Sequence, residues 1–201
     1  MKVLKVYQPA PIESDVLRME EVPLPEPAED EVRVRVSACA LCHTDLHIIE
    51  GELKGGKMPI IPGHQIIGRV EKVGNACTRL KVGQKVGIPW LYRTCGKCHY
   101  CHRGEENLCE NAQFTGFHHD GGYAEALVVP ENFAHTVPEQ WDAVQMAPLL
   151  CGGVIGYRTM KVAGVQKKDK VGLVGFGASA HLVLQMLVAQ NCEAFVFTRT
   201  P

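Results

Sequence analysis

Apolar and polar residues alternate strictly over residues 32–36, Val-Arg-Val-Arg-Val, and this period of two predicts a strand with one face against a core. Short apolar runs at 66–73, 84–88 and 126–129 predict further strands, each bounded by turn residues such as Gly74-Asn75. Pro23-Leu24-Pro25-Glu26-Pro27 reads as a stiff surface connection. The pattern changes near residue 150. Helical spacing occupies 142–149 and 156–162; beyond it, 170–176 predicts an apolar strand, 178–190 a helix and 194–198 a second strand. Strand, Gly-rich turn, helix and strand in that order are the opening of a parallel dinucleotide-binding domain. The expected fold is a β-rich domain over residues 1–150 and the beginning of an α/β domain over 151–201.

Composition agrees with a globular chain: of 201 residues, 46% are apolar and 21% charged, which excludes a disordered or collagen-like polypeptide. Lys and Arg total 21 against 22 Asp and Glu, so no basic surplus points to a nucleic acid or an anionic membrane as partner. Apolar stretches such as 183–188 fall far short of the roughly 20 residues of a membrane helix. The N-terminus soon reaches polar Gln8 and Pro9, which leaves no room for the apolar region of a signal peptide. A cytoplasmic location is expected.

Nine cysteines change the picture. Their number is odd, and four of them, Cys95-x-x-Cys98-x-x-Cys101 followed by Cys109, fall within fifteen residues. That spacing brings four thiolates around one tetrahedral zinc, with Gly96 and Gly104 easing the turns between ligands. Zinc at +2 with four thiolates at −4 leaves −2, which Lys97, His99, His102 and Arg103 are placed to offset. With every position filled by sulfur there is no place for substrate, so this ion would be structural. An iron–sulfur cluster and a run of uncoordinated cysteines are the alternatives.

A second constellation is dispersed: Cys42-His43-Thr44-Asp45-Leu46-His47, then Gly63-His64-Gln65-Ile66-Ile67-Gly68, then Leu150-Cys151-Gly152-Gly153. Taken singly these residues are weak signals. In order and local context, with the Cys95–Cys109 lobe between them and Asp120-Gly121-Gly122-Tyr123-Ala124-Glu125 after it, the chain resembles the zinc-dependent alcohol dehydrogenases of the medium-chain dehydrogenase/reductase family. The resemblance implies a GroES-like catalytic domain, a following Rossmann domain, and a catalytic zinc on Cys42, His64 and Cys151. It implies that Thr44 accepts the alcohol proton, that His47 passes it to solvent, that Asp45 orients His64, and that His43 contacts the cofactor pyrophosphate. A helix N-terminus capped by Thr44 or Asp45 is the plain structural reading of the same residues, and both can hold. Where the family usually has Glu beside the ligand histidine, this chain has Gln65, which offers no charged oxygen. Cys39 is expected to be a core residue; Cys77 and Cys192 have no assigned role. Trp90 and Phe114 are candidates either for an apolar alcohol pocket or for plain core.

Gly175-x-Gly177-x-x-Ala180 follows an apolar strand and opens a helix, the context that aims backbone amides at a pyrophosphate. The acidic residue expected about 20 positions on, which would bind ribose hydroxyls, is missing. Thr198-Arg199-Thr200 stands there instead and favours NADP over NAD, because a guanidinium neutralises a 2′-phosphate. The reading is a zinc-dependent, NAD(P)-linked dehydrogenase with two zinc ions, interconverting small alcohols with aldehydes or ketones, with a homo-oligomer as a possible assembly. The alternative is a truncated, catalytically incompetent zinc-binding fragment of such an enzyme, since only two of the six strands of a Rossmann sheet are supplied.

Overall fold

The computed structural model describes residues 1–199, which divide into two compact units, Met1–Ala147 and the described residues from Pro148 onward. In the first, strand β1 (Lys2–Val6) pairs antiparallel with β2 (Leu17–Glu21). The chain then enters β3 (Glu31–Cys39), helix α1 (His43–Ile49), β4 (Ile66–Val73) and β5 (Lys85–Ile88). A small ribbon of β6 (Leu91–Arg93) and β7 (Gln113–Phe114) brackets the cysteine lobe, which holds helix α2 (His99–His102). Strands β8 (Ala126–Pro130) and β9 (His135–Thr136) close a five-stranded antiparallel sheet of order β8-β3-β4-β5-β9.

The alternation in β3 does what its period requires: Val32 and Val34 are fully buried, whereas Arg33 and Arg35 share Glu71 on the outer face. The inner face packs Val32, Val34, Ile66, Val70, Val86, Ile88, Leu127 and Val129 into one core, with Cys39 at its margin. Burial pushes the Cys39 thiol up to about 12, as suits a core residue. Cys77 packs on the same core and donates to the Glu31 carbonyl. A second core, Val6, Ile48, Ile49, Ile60 and Phe117, seats the buried side of α1.

The helical run at 142–149 is shorter than its pattern implies. Asp142 caps α3 (Ala143–Met146) by accepting from Val144 and Gln145, and the chain then tightens into a 3-10 turn over Ala147–Leu150. Pro148 has no N–H to continue an α-helix. In the second unit α4 (Gly152–Val162) starts four residues earlier than the sequence pattern indicates. β10 (Lys170–Val174) ends two residues earlier, because Gly175 turns the chain at φ +86°. Helix α5 (Ala178–Ala189) returns it to β11 (Glu193–Phe197), which pairs parallel with β10. Gly156 lets α4 approach α5 closely: a Cβ there would lie 2.5 Å from Val183. Met160, Val183 and Leu187 form the core of this βαβ unit, and Cys192 donates to the Gln166 carbonyl. Among the described residues no helix is long and apolar enough to cross a membrane.

Candidate metal centres

The four cysteines predicted to share an ion are gathered. Their Sγ atoms all lie within 4.8 Å of one another, with Cys98–Cys101 at 3.5 Å and Cys95–Cys101 at 3.9 Å. A tetrahedron with Zn–S bonds of about 2.3 Å has edges of about 3.8 Å, so the donor set fits zinc in number, chemistry and size. Gly96 and Gly104 make the intervening turns at φ +68° and +71°, a region that side chains seldom adopt. Backbone N–H groups of Lys97 and Cys98 aim at Cys95 and pull its thiol down to about 6, towards the thiolate that binds metal.

The second centre is built around a carboxylate. Asp45 is the third residue of α1, and its Oδ2 accepts the N–H of Cys42, the residue that caps the helix. Its Oδ1 accepts from the Gly63 N–H at 3.1 Å and from His64 Nδ1 at 3.0 Å. Asp45 thus acts as helix-capping group and as partner of His64 at once. The contact commits Nδ1 as donor to Asp45 and leaves Nε2 as the ring atom that could give up its proton to a metal, as in zinc-binding imidazoles. The Cys42 thiol lies against the same imidazole, within 4.8 Å. Burial disfavours the His64 imidazolium, but the Asp45 carboxylate and Cys42 outweigh it and raise the group to about 9.

The loop that presents His64 is fastened by the glycine-rich segment after β7. Gly121 N–H bonds the Ile61 carbonyl, Gly122 that of Gly63, and Tyr123 that of Pro62, at 2.7–3.0 Å. Asp120 accepts from Ile61 N–H and pairs with Lys57. The approach is close enough to require glycine: a Cβ on Gly121 would lie 2.1 Å from the Gly63 oxygen. Trp90 lies edge-on to His64 at 4.9 Å and stacks on Phe114 at 4.8 Å, so the pair both packs in the core and walls the histidine.

Thr44 is half-buried in the first turn of α1, and His43 is exposed, its ring 4.6 Å from that of His47. His47 Nδ1 meets Glu52, a partner that sequence reasoning missed; His and Glu flanking a helix end five residues apart were the available signal. Gln65 is buried and donates to the Ala40 carbonyl at 3.5 Å. In the second unit Cys151 caps α4. Gly177 caps α5, whose first turn holds Ala180, and Gly175 donates to the Phe197 carbonyl. Arg199 is exposed beyond β11, and Thr200 lies outside the described residues.

Residues 28–139 match the alcohol dehydrogenase GroES-like domain. A probable alcohol dehydrogenase, AdhA, of Mycobacterium tuberculosis is 43% identical over 99% of this chain and 59% of its own length. An alcohol dehydrogenase of Geobacillus stearothermophilus is 42% identical over 87% of this chain and 52% of its own. A cobalt- and zinc-bound thermostable alcohol dehydrogenase from Pyrobaculum aerophilum superposes with a TM-score of 0.90 at 27% identity, covering 100% of this chain and 60% of that one. CAD from Helicobacter pylori, complexed with NADP(H), gives 0.89 at 29% identity, covering 99% and 59%. The chain therefore spans between half and three-fifths of the length of these relatives. By the match that covers more than half of its residues, this chain belongs to the family of the alcohol dehydrogenase GroES-like domain.

Proposed function

We propose that the protein is a zinc-dependent, NAD(P)-linked alcohol dehydrogenase, with residues 1–150 as its GroES-like catalytic domain and 151–201 as the beginning of its Rossmann domain. The observation that carries this reading is the buried His64, held through Nδ1 by Asp45 and with the Cys42 thiol against the same imidazole. Cys151 is the third ligand, and two thiolates with one neutral imidazole balance the charge of the ion. Zinc held there supplies Lewis-acid polarisation of an alcohol or carbonyl oxygen. The Cys95–Cys109 lobe holds the second, structural zinc.

The chain's own residues manage the proton. Thr44 Oγ1 accepts it from the alcohol. His47 relays it outward, its Nδ1 held by Glu52 so that Nε2 is the exchanging atom. A nicotinamide cofactor would supply the hydride acceptor, and Gly175, Gly177 and Ala180 at the N-terminus of α5, with His43, would hold its pyrophosphate. Arg199 favours NADP by neutralising a 2′-phosphate. The test is alcohol-dependent NADP⁺ reduction by the zinc-loaded protein. Turnover that Cys42→Ser abolishes supports the reading, whereas two bound zincs without turnover or cofactor binding support a catalytically incompetent zinc-binding fragment.

A further inference from the structure

Tyr123 is not used by any of these steps, yet it sits over the hinge of the His64 centre. Its ring covers Gly63, where a Cβ would lie 2.6 Å from the ring. Its backbone is fixed on both sides, donating to the Pro62 carbonyl at 3.0 Å and accepting from Leu4 at 2.8 Å. The phenolic oxygen is shielded from solvent and is one of two buried side-chain oxygen or nitrogen atoms without a hydrogen-bond partner among the described residues. A buried hydroxyl left in that state is costly, so its neighbours matter. The charges acting on it are Asp45, Cys39 and Cys42, with Asp45 foremost, and together with burial they hold the phenol in its protonated form.

Asp45 has room for it. An ionised carboxylate offers about four acceptor sites. Oδ1 takes the N–H groups of Gly63 and His64, while Oδ2 takes that of Cys42. A donor aimed at Oδ2 would complete the set. Asp45 is the carboxylate whose charge and hydrogen-bonding reach act on this phenol, so a phenol that donates to it satisfies both groups.

We infer that the Tyr123 hydroxyl is a positioning group that donates to Asp45 and thereby fixes the carboxylate on which the orientation of His64 depends. The inference rests on the proposed zinc centre and reaches the metal only through Asp45. Phenylalanine keeps the ring over Gly63 and removes the donor alone, which makes Tyr123→Phe the informative variant.

The experiment measures zinc affinity at both centres of the whole chain by competition with a chromophoric chelator, for wild type, Tyr123→Phe, Asp45→Asn and the double variant. The expected result is about fivefold weaker binding at the Cys42–His64 centre in Tyr123→Phe, with the cysteine lobe unchanged as an internal control of folding. In the Asp45→Asn background, Tyr123→Phe then has less than a twofold further effect. Unchanged affinity in Tyr123→Phe, or an equal loss in both backgrounds, overturns the inference and leaves the zinc centre standing. A wild-type chain that holds only the lobe zinc overturns the centre itself, and the inference with it.

Discussion

Replacing Asp45 by Asn tests how much of the His64 centre is organised by a single carboxylate. Asp45 is 2% exposed and accepts three hydrogen bonds. Asparagine has one acceptor oxygen. If that oxygen keeps Gly63 and His64, the new amide group faces the Cys42 N–H donor to donor. An unpaired buried donor costs about 1–3 kcal/mol, and losing the charge on the two remaining bonds costs about 1 kcal/mol more for each, so the variant is about 3–5 kcal/mol less stable. The raised His64 points the same way: Asp45 and Cys42 together hold its imidazole at about 9 against an ordinary 6.5, and the variant loses the Asp45 share of that preference for the charged form of the metal-free fold. Because the folded value is raised, that contribution is complete below pH 6.5 and is lost as pH rises through 9. Urea unfolding of chelator-treated wild type and variant, from pH 6 to pH 10, reads the difference directly. The gap should be widest at pH 6 and narrow to about 1 kcal/mol at pH 10. A gap under 1 kcal/mol throughout, or one that does not change with pH, would show that Asp45 does not organise the centre.

Three further outcomes follow from the same structure. Cys98→Ser removes a ligand from the lobe, so metal analysis should show one fewer zinc per chain and limited proteolysis should cut between residues 94 and 110 while the five-stranded sheet persists. Glu131 accepts the N–H groups of Thr78, Arg79 and Leu80 at 2.6–3.1 Å, and Glu131→Gln should cost about 2 kcal/mol in chemical denaturation at pH 7. Burial alone would raise that carboxyl, but the three N–H groups and Arg79 hold it below its ordinary 4.5, so its stabilisation is present above pH 4.5 and is lost on acidification through the lowered value; Glu131→Gln should lack that acid-sensitive part. Arg199→Asp should move the ratio of NADP to NAD affinity towards NAD by about tenfold or more, measured by cofactor titration, and an unchanged ratio would remove Arg199 from cofactor selection.

The parts of the molecule that were legible in the sequence are those written locally. The strict alternation of residues 32–36 fixes the buried face of β3, although the strand runs on to Cys39 through register shifts that no alternation rule anticipates. The cysteine lobe is legible because its four cysteines sit within fifteen residues and the turns between them are glycine turns. The ribbon of β1 and β2 is not: Leu17–Glu21 carries three charged residues in five and is held by pairing with β1 rather than by burial. Helix α1 is seven residues long, too short for periodicity, and is held by Asp45 at one end and by Ile48 and Ile49 in the second core. The role of Asp45 towards His64 enters through family resemblance, because the two residues are 19 apart and meet only when the 60–64 loop is fastened by the 120–123 segment. Tyr123 enters the sequence reading only as part of the 120–125 segment, and Glu52 carries no motif; their contacts depend on that same folded loop and on the end of α1.

A metal centre on Cys42 and His64, separate from the cysteine lobe, is read out by zinc stoichiometry. Wild type should hold two zincs per chain, Cys42→Ser and His64→Ala one each, and Cys98→Ser one, with the remaining zinc in the first two variants resisting the same chelator as the lobe zinc of wild type. A single zinc in wild type, unchanged by Cys42→Ser and His64→Ala and lost in Cys98→Ser, would contradict it.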